Sequence, residues 1–170
     1  MEIRHARRAD LPTIVAIYNA AIPSYQATAD TAPVSIAARE GWFAAHDPTT
    51  HPLWVAESED GIVGWVSLSA FHTRPAYRPT AEISIYVDHQ HRRSGVGRTL
   101  VARAVGDASS LGISSIVAVV FAHNAPSIGL FEGLGFRRWG HLPGVAHMPD
   151  GRRDVLILGY EVSEARSQDV

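Results

Sequence analysis

The segment Arg92-Arg93-Ser94-Gly95-Val96-Gly97-Arg98 decides how the rest of the chain is read. It lies between a run of strand character, Ala81 to Val87, and a run in which Val96, Leu100, Ala104 and Ala108 recur at helical spacing. A strand-to-helix loop of this kind leaves the first backbone N–H groups of the helix without intrahelical acceptors, aimed at one point. The helix dipole adds partial positive charge there. Such a site suits a phosphate or pyrophosphate. Gly95 and Gly97 are expected to let the backbone approach that ligand without Cβ obstruction. The arginines favour an anion electrostatically. Two rival phosphate motifs do not fit. No G-x-x-x-x-G-K-[ST] string occurs in the chain, and a dinucleotide fingerprint needs glycine where Leu100 stands.

Outward from this loop, the elements alternate. Ala81 to Val87 sets Ile83, Ile85 and Val87 on one face and Glu82, Ser84 and Tyr86 on the other. Upstream, Leu53 to Ala56 and Ile62 to Ser69 flank the turn Glu59-Asp60-Gly61, a hairpin pattern. The chain opens with a short strand at Glu2 to His5, then Asp10 as N-cap of a helix carrying Leu11, Ile14, Val15 and Tyr18, with Pro12 in its first turn. Ser35 opens a second helix, whose Trp42-Phe43 pair belongs to the core. Downstream, Ile116 to Phe121 is a continuous apolar run, as in a strand buried on both faces. Asn124, with Pro126 two residues on, caps a helix that closes at Gly135 as the C′ residue. Val155 to Val162 forms the last strand. The order predicts a mixed α/β sheet with helices on both faces. One domain is expected over residues 1–162, with a fraying polar tail over 163–170.

Composition narrows the function classes. A length of 170 residues with 46% hydrophobic and 19% charged residues suits one soluble globular core. A formal charge of -2 without a dominant basic block argues against nucleic acid or a membrane surface as partner. The absence of cysteine excludes a thiolate metal site and a cysteine nucleophile. His89 and His91 form an H-x-H pair but lack a nearby third ligand, so no metal is expected. No apolar run is long enough to span a bilayer, and the cytoplasm is the expected location.

What remains of the loop is the pattern [RQ]-x-x-G-x-[GA], filled by Arg92, Gly95 and Gly97. It resembles the acetyl-CoA pyrophosphate loop of the GNAT superfamily of N-acetyltransferases. The stretch Asn124-Ala125-Pro126-Ser127 through Leu134-Gly135-Phe136 resembles that superfamily's second block, an Asn-capped helix ending in Leu-Gly-Phe. The resemblance implies a twisted, mostly antiparallel central sheet flanked by helices on both faces. It also implies acetyl-CoA as cosubstrate and an Asn124 that touches the pantetheine arm.

Three further stretches resemble one branch, the phosphinothricin and methionine sulfoximine acetyltransferases. They are Ile17-Tyr18-Asn19 with Thr28 to Val34, then Arg74-Pro75-Ala76-Tyr77-Arg78-Pro79-Thr80-Ala81-Glu82, then Trp139 to Asp154. By that resemblance Ile85, Tyr86 and Val87 hold the acetyl and pantetheine part. The loop Arg92, Arg93, Ser94, Gly95, Val96, Gly97, Arg98 holds the pyrophosphate. Arg74, Tyr77 and Thr80 line the pocket of a small amino-acid-like amine, Arg74 gripping a carboxylate or phosphinate through its planar fork. Glu82 is implied as general base, a backbone N–H near Tyr86–Val87 as oxyanion donor, and a homodimer as the assembly. Two positions depart from the branch. Phe131 stands where a tyrosine or histidine is proposed to protonate the leaving thiolate, and Ala29 where the pocket tends to offer an aromatic. An acetyltransferase for another amine, such as an aminoglycoside or a protein N-terminus, is one alternative. A non-catalytic acetyl-CoA-binding sensor is the other, favoured by Phe131 and opposed by Glu82.

Overall fold

The structure is a computed structural model and describes residues 1–162; the polar tail expected over 163–170 lies outside the described residues. Seven strands form one sheet in the order β1-β2-β3-β4-β5-β7-β6. These are β1 (Glu2–His5), β2 (Leu53–Ser58), β3 (Gly61–Ala70), β4 (Thr80–Val87), β5 (Ser115–Phe121), β6 (Arg137–Met148) and β7 (Gly151–Glu161). Every neighbouring pair is antiparallel except β4 and β5, which run parallel. The helices are α1 (Leu11–Ala21), α2 (Ile36–Ala44), α3 (Val96–Asp107) and α4 (Ala125–Glu132). The mixed sheet with helices on both faces is as the element order predicts.

Alternation along the strands sorts the core into two layers. Trp54, Val66, Leu68, Ala81 and Ile83 face α3 and α4, where Leu100, Val101, Ala104, Ile128 and Phe131 complete the larger cluster. Leu53, Val55 and Trp65 face the other way, onto Ile14, Ile17 and Tyr18 of α1 and the half-buried Trp42 and Phe43 of α2. The Trp65 indole N–H is satisfied by the Ile14 carbonyl at 3.1 Å, as a buried donor requires.

The expected caps are met at α2 and α4 and changed at α1. Ser35 Oγ accepts from the Ala38 amide at 3.1 Å, and Asn124 Oδ1 from the Ser127 amide at 3.2 Å. Asp10 stands before α1 but makes no side-chain cap to it. Its carboxylate turns back to the Arg7 amide at 2.7 Å and to both Nη atoms of Arg4, at 2.7 and 3.1 Å. A paired guanidinium outcompetes a single amide for a nearly buried carboxylate. After α4 the Phe136 amide reaches the Phe131 carbonyl and the Gly135 amide the Glu132 carbonyl, both at 3.1 Å. That pair of bonds is a Schellman closure with Gly135 at C′. Val119 of β5 is exposed, so the strand expected to be buried on both faces is open at that point.

Candidate active site

The parallel pairing of β4 with β5 lasts only for Thr80↔Ser115, Ala81↔Ile116 and Glu82↔Val117. Beyond that, β4 runs on to Val87 and β5 to Phe121 without pairing to each other, so the sheet opens along its middle. The direction of the free groups follows from their neighbours. The Thr80 carbonyl accepts from Phe71 on the β3 side, and the Asp88 amide donates to Val63 of β3. Main-chain groups alternate in direction along a strand, so Glu82, Ser84 and Tyr86 bond toward β3. Ile83, Ile85 and Val87 turn theirs into the opening. Of the expected Tyr86–Val87 donor region, the amide that faces the opening is therefore that of Val87.

A cleft of about 620 Å³ continues from this opening to the N-terminus of α3. Ile85, Tyr86, Val87, Arg92, Arg93, Gly95, Gly97, Arg98 and Asn124 all line it, together with Pro126 and Leu130 of α4. Two loop residues do not. Val96 is buried in the core against Leu100, and Ser94 Oγ donates to the His91 carbonyl at 2.5 Å, tightening the loop. The two glycines serve different ends. Gly95 has φ +88°, with nothing within 4 Å of where a Cβ would stand, so conformation is what requires glycine. At Gly97 an added Cβ would lie 3.3 Å from Leu130, with Ile85 and Val87 at 3.7 Å. There α3 packs closely against α4 and β4, and Leu130 would have to shift slightly to admit a Cβ, while Gly97 also lines the cleft. The N–H groups of the first turn of α3 and three arginines thus face one end of the cleft.

The segment between α1 and α2 crosses the cleft and is held by three donors. His123 Nε2 lies 3.2 Å from the Tyr25 carbonyl, Asn124 Nδ2 donates to that of Gln26 at 2.9 Å, and Tyr86 Oη to that of Ala27 at 3.1 Å. Burial pushes the Tyr86 phenol well up, so it stays protonated and a donor. Asn124 thus caps α4 with its oxygen and ties this segment with its nitrogen. No local pattern announces the segment's role, because its partners come from β4 and from the turn before α4.

On the face of β4 that carries Glu82, Ser84 and Tyr86, the neighbours are Ser69, Ser67 and Trp65 of β3 in register. Tyr18 packs edge-on to Tyr86 with centroids 4.9 Å apart. Its hydroxyl bonds Thr28 Oγ1 at 2.6 Å and Asp30 Oδ2. The Arg39 guanidinium stands over the Tyr18 ring at 4.5 Å. Tyr18 is expected on the apolar face of α1, but no spacing along the chain predicts that Thr28, Asp30 and Arg39 gather around it. Glu82 is half-buried at the closed end of the opening, and desolvation raises its carboxyl above the ordinary 4.5. Thr80 precedes it on the same face. Arg74 and Tyr77 lie exposed on the β3–β4 loop, where Tyr77 packs on Phe71 and His72. Among the described residues the Arg74 guanidinium forms no ion pair. Ala29 is exposed between Thr28 and Asp30. Phe131 is 3% exposed and packs edge-on to Phe136 at 4.9 Å while lining the inner end of the opening. It presents a hydrocarbon wall and no proton.

Among the described residues no group of three or more His, Asp or Glu side chains is placed to hold a metal ion, and no helix is long and apolar enough to cross a membrane. Comparison with known proteins gives a consistent set of relatives. The family model described as the Acetyltransferase (GNAT) family matches residues 14–136. A Bacillus subtilis protein named "Putative phosphinothricin acetyltransferase YwnH" is 48% identical over 96% of this chain and 100% of its own length. The L-methionine sulfoximine/L-methionine sulfone acetyltransferase of Pseudomonas paraeruginosa is 34% identical over 97% of this chain and 96% of its own. Among solved structures, a GNAT superfamily phosphinothricin acetyltransferase from Sinorhizobium meliloti in complex with acetyl-CoA superposes with a TM-score of 0.91. It is 30% identical, covering 99% of this chain and 91% of that one.

The raised carboxyl of Glu82 has a consequence for stability. A carboxyl whose folded pKa exceeds its unfolded pKa contributes fully while protonated, and that contribution is lost as pH rises through the folded value. Glu82→Gln stays neutral throughout. It should therefore match the wild type at about pH 4 and melt at a higher temperature at about pH 8. Paired thermal unfolding curves at the two pH values check this; an equal offset at both would assign the change to packing.

Proposed function

The chain belongs to the GNAT family of acetyltransferases and uses acetyl-CoA, and we propose that it acetylates the amino group of a small amino-acid-like molecule of the phosphinothricin or methionine sulfoximine type. The observation that carries this reading is the opening between β4 and β5. It meets an anion-binding helix terminus at one end and a half-buried carboxylate, Glu82, at the other.

The reaction follows from that layout. The pyrophosphate of acetyl-CoA is held by the first turn of α3 with Arg92, Arg93 and Arg98. Its extended pantetheine arm offers amides that pair with the main-chain groups of Ile83, Ile85 and Val87 left free in the opening. The acceptor arrives as an ammonium and gives one proton to Glu82, through a water where the reach demands it. A carboxyl raised toward the working pH is the better matched base. The nitrogen lone pair then forms the C–N bond to the thioester carbonyl carbon, whose developing oxyanion is met by the Val87 N–H. The C–S bond breaks and coenzyme A leaves as thiolate. The nitrogen's remaining surplus proton passes to that sulfur, so the chemistry closes without an acid from Phe131.

Arg74 grips the acceptor's carboxylate or phosphinate, with Tyr77 and Thr80 beside it. Support for this comes from its lack of an ion-pair partner among the described residues and from its loop leading straight into β4. The homodimer is supported by the Glu82 face of the far half of the sheet, where Val119, Trp139 and Leu142 are 48%, 46% and 43% exposed. Apolar side chains gathered on one face are the usual mark of an interface.

Three measurements test these assignments. With acetyl-CoA and L-methionine sulfoximine, Glu82→Gln should lower kcat/KM by roughly 10²–10³-fold at neutral pH. The deficit should shrink as the pH nears the acceptor's own pKa; a deficit constant with pH would make Glu82 a positioning group. Arg74→Ala should raise the KM for this acceptor by about tenfold or more while leaving that for acetyl-CoA unchanged. Sedimentation at micromolar concentration should give a dimer for the wild type and a monomer for Val119→Asp, and a monomeric wild type overturns the assembly.

A further inference from the structure

Next to Glu82 lies a hydrogen-bonded pair that the reaction described above does not use. His46 follows the end of α2 and is half-buried. Its Nδ1 is 2.8 Å from the Trp42 carbonyl, and its Nε2 is 3.2 Å from Ser69 Oγ. A carbonyl can only accept, so Nδ1 carries the ring proton. Nε2 of the neutral ring is then a bare acceptor, and the hydroxyl proton of Ser69 must point to it. Desolvation holds the imidazole below its ordinary range, which keeps this tautomer in place near neutrality. The ring is further fixed edge-on against Trp42, with centroids 4.7 Å apart.

The consequence falls on Ser69. With its only O–H turned to His46, the remaining directions of Ser69 Oγ hold lone pairs alone. Ser69 is the direct cross-strand partner of Glu82. Paired residues project from the same face, with Cβ atoms about 4.5–5.5 Å apart. A carboxylate and a hydroxyl locked as an acceptor therefore stand side by side. An ammonium group carries donors only, and needs acceptors in that arrangement.

We propose that His46 fixes Ser69 as a second acceptor for the amino group of the substrate. Ser69 holds one N–H of the amine while Glu82 removes a proton, and the neutral nitrogen, kept in place by that bond, then turns its lone pair to the thioester. Ser69 is then a substrate-contacting residue, and His46 is a positioning residue that acts through it. The inference rests on the reading of Glu82 as the base at the acceptor site. It adds a selection rule: an acceptor whose reacting nitrogen bears a hydrogen-bond acceptor, rather than N–H, is disfavoured by two oxygens together.

The test is a double-mutant cycle with acetyl-CoA and L-methionine sulfoximine. Ser69→Ala and His46→Leu should each raise the KM for methionine sulfoximine by about tenfold, the size of one hydrogen bond to a charged group. The KM for acetyl-CoA should not move. The double variant should be no worse than the more affected single, because both act through one hydrogen bond. Ser69→Thr, which keeps the hydroxyl, should restore the wild-type KM. If His46→Leu does not fold, the contrast between Ser69→Ala and Ser69→Thr decides alone. An unchanged acceptor KM in Ser69→Ala, or effects that multiply in the double variant, would overturn the proposal. Failure of the base reading is seen separately, as a Glu82→Gln enzyme with full activity.

Discussion

Past Glu82 and Val117, β4 and β5 stop pairing, and the rest of the structure is arranged around that break. A central strand with one side of its main chain unpaired carries N–H and C=O groups that must find partners. Elsewhere in the sheet such edges are at the rim. Here the edge is internal, and an extended chain carrying amides of its own is the natural complement.

Strand alternation then divides the labour on β4. In the plane of the sheet, the main chain of Ile83, Ile85 and Val87 faces the opening. Toward α3 and α4 the side chains of those same residues build the apolar wall. Toward α1 and α2, Glu82, Ser84 and Tyr86 meet serines and aromatics of β3. A single strand therefore presents free main-chain groups to the opening, hydrocarbon to the core and polar side chains to the layer of α1 and α2.

Much of this was legible along the chain because it is local. The alternation of Glu82 and Ile83, the Asn124 cap and the Gly135 closure each depend on residues within a turn or two. Asp10 shows where local reading stops. As a cap it satisfies every sequence rule, yet its carboxylate is taken by Arg4, a partner fixed by the strand Arg4 occupies. Gly97 shows the same for a motif position. The pattern marks the position, but the nearest neighbour an added Cβ would meet is Leu130, on a different helix.

The sequence by itself determined the order and type of the elements, the glycine-bearing turn into α3 and the face of β4 on which Glu82 stands, since hydrophobic period, caps and glycine punctuation act over a few residues. Only the tertiary structure decided where the sheet parts, which amide faces the opening, and which side chains gather beside Glu82. His46 and Ser69 are 23 positions apart, and Asn124 and Gln26 are 98. Contacts at those separations are set by how strands register and helices pack. No spacing rule reaches that far, because the chain between the partners is free to take any path until the core is formed.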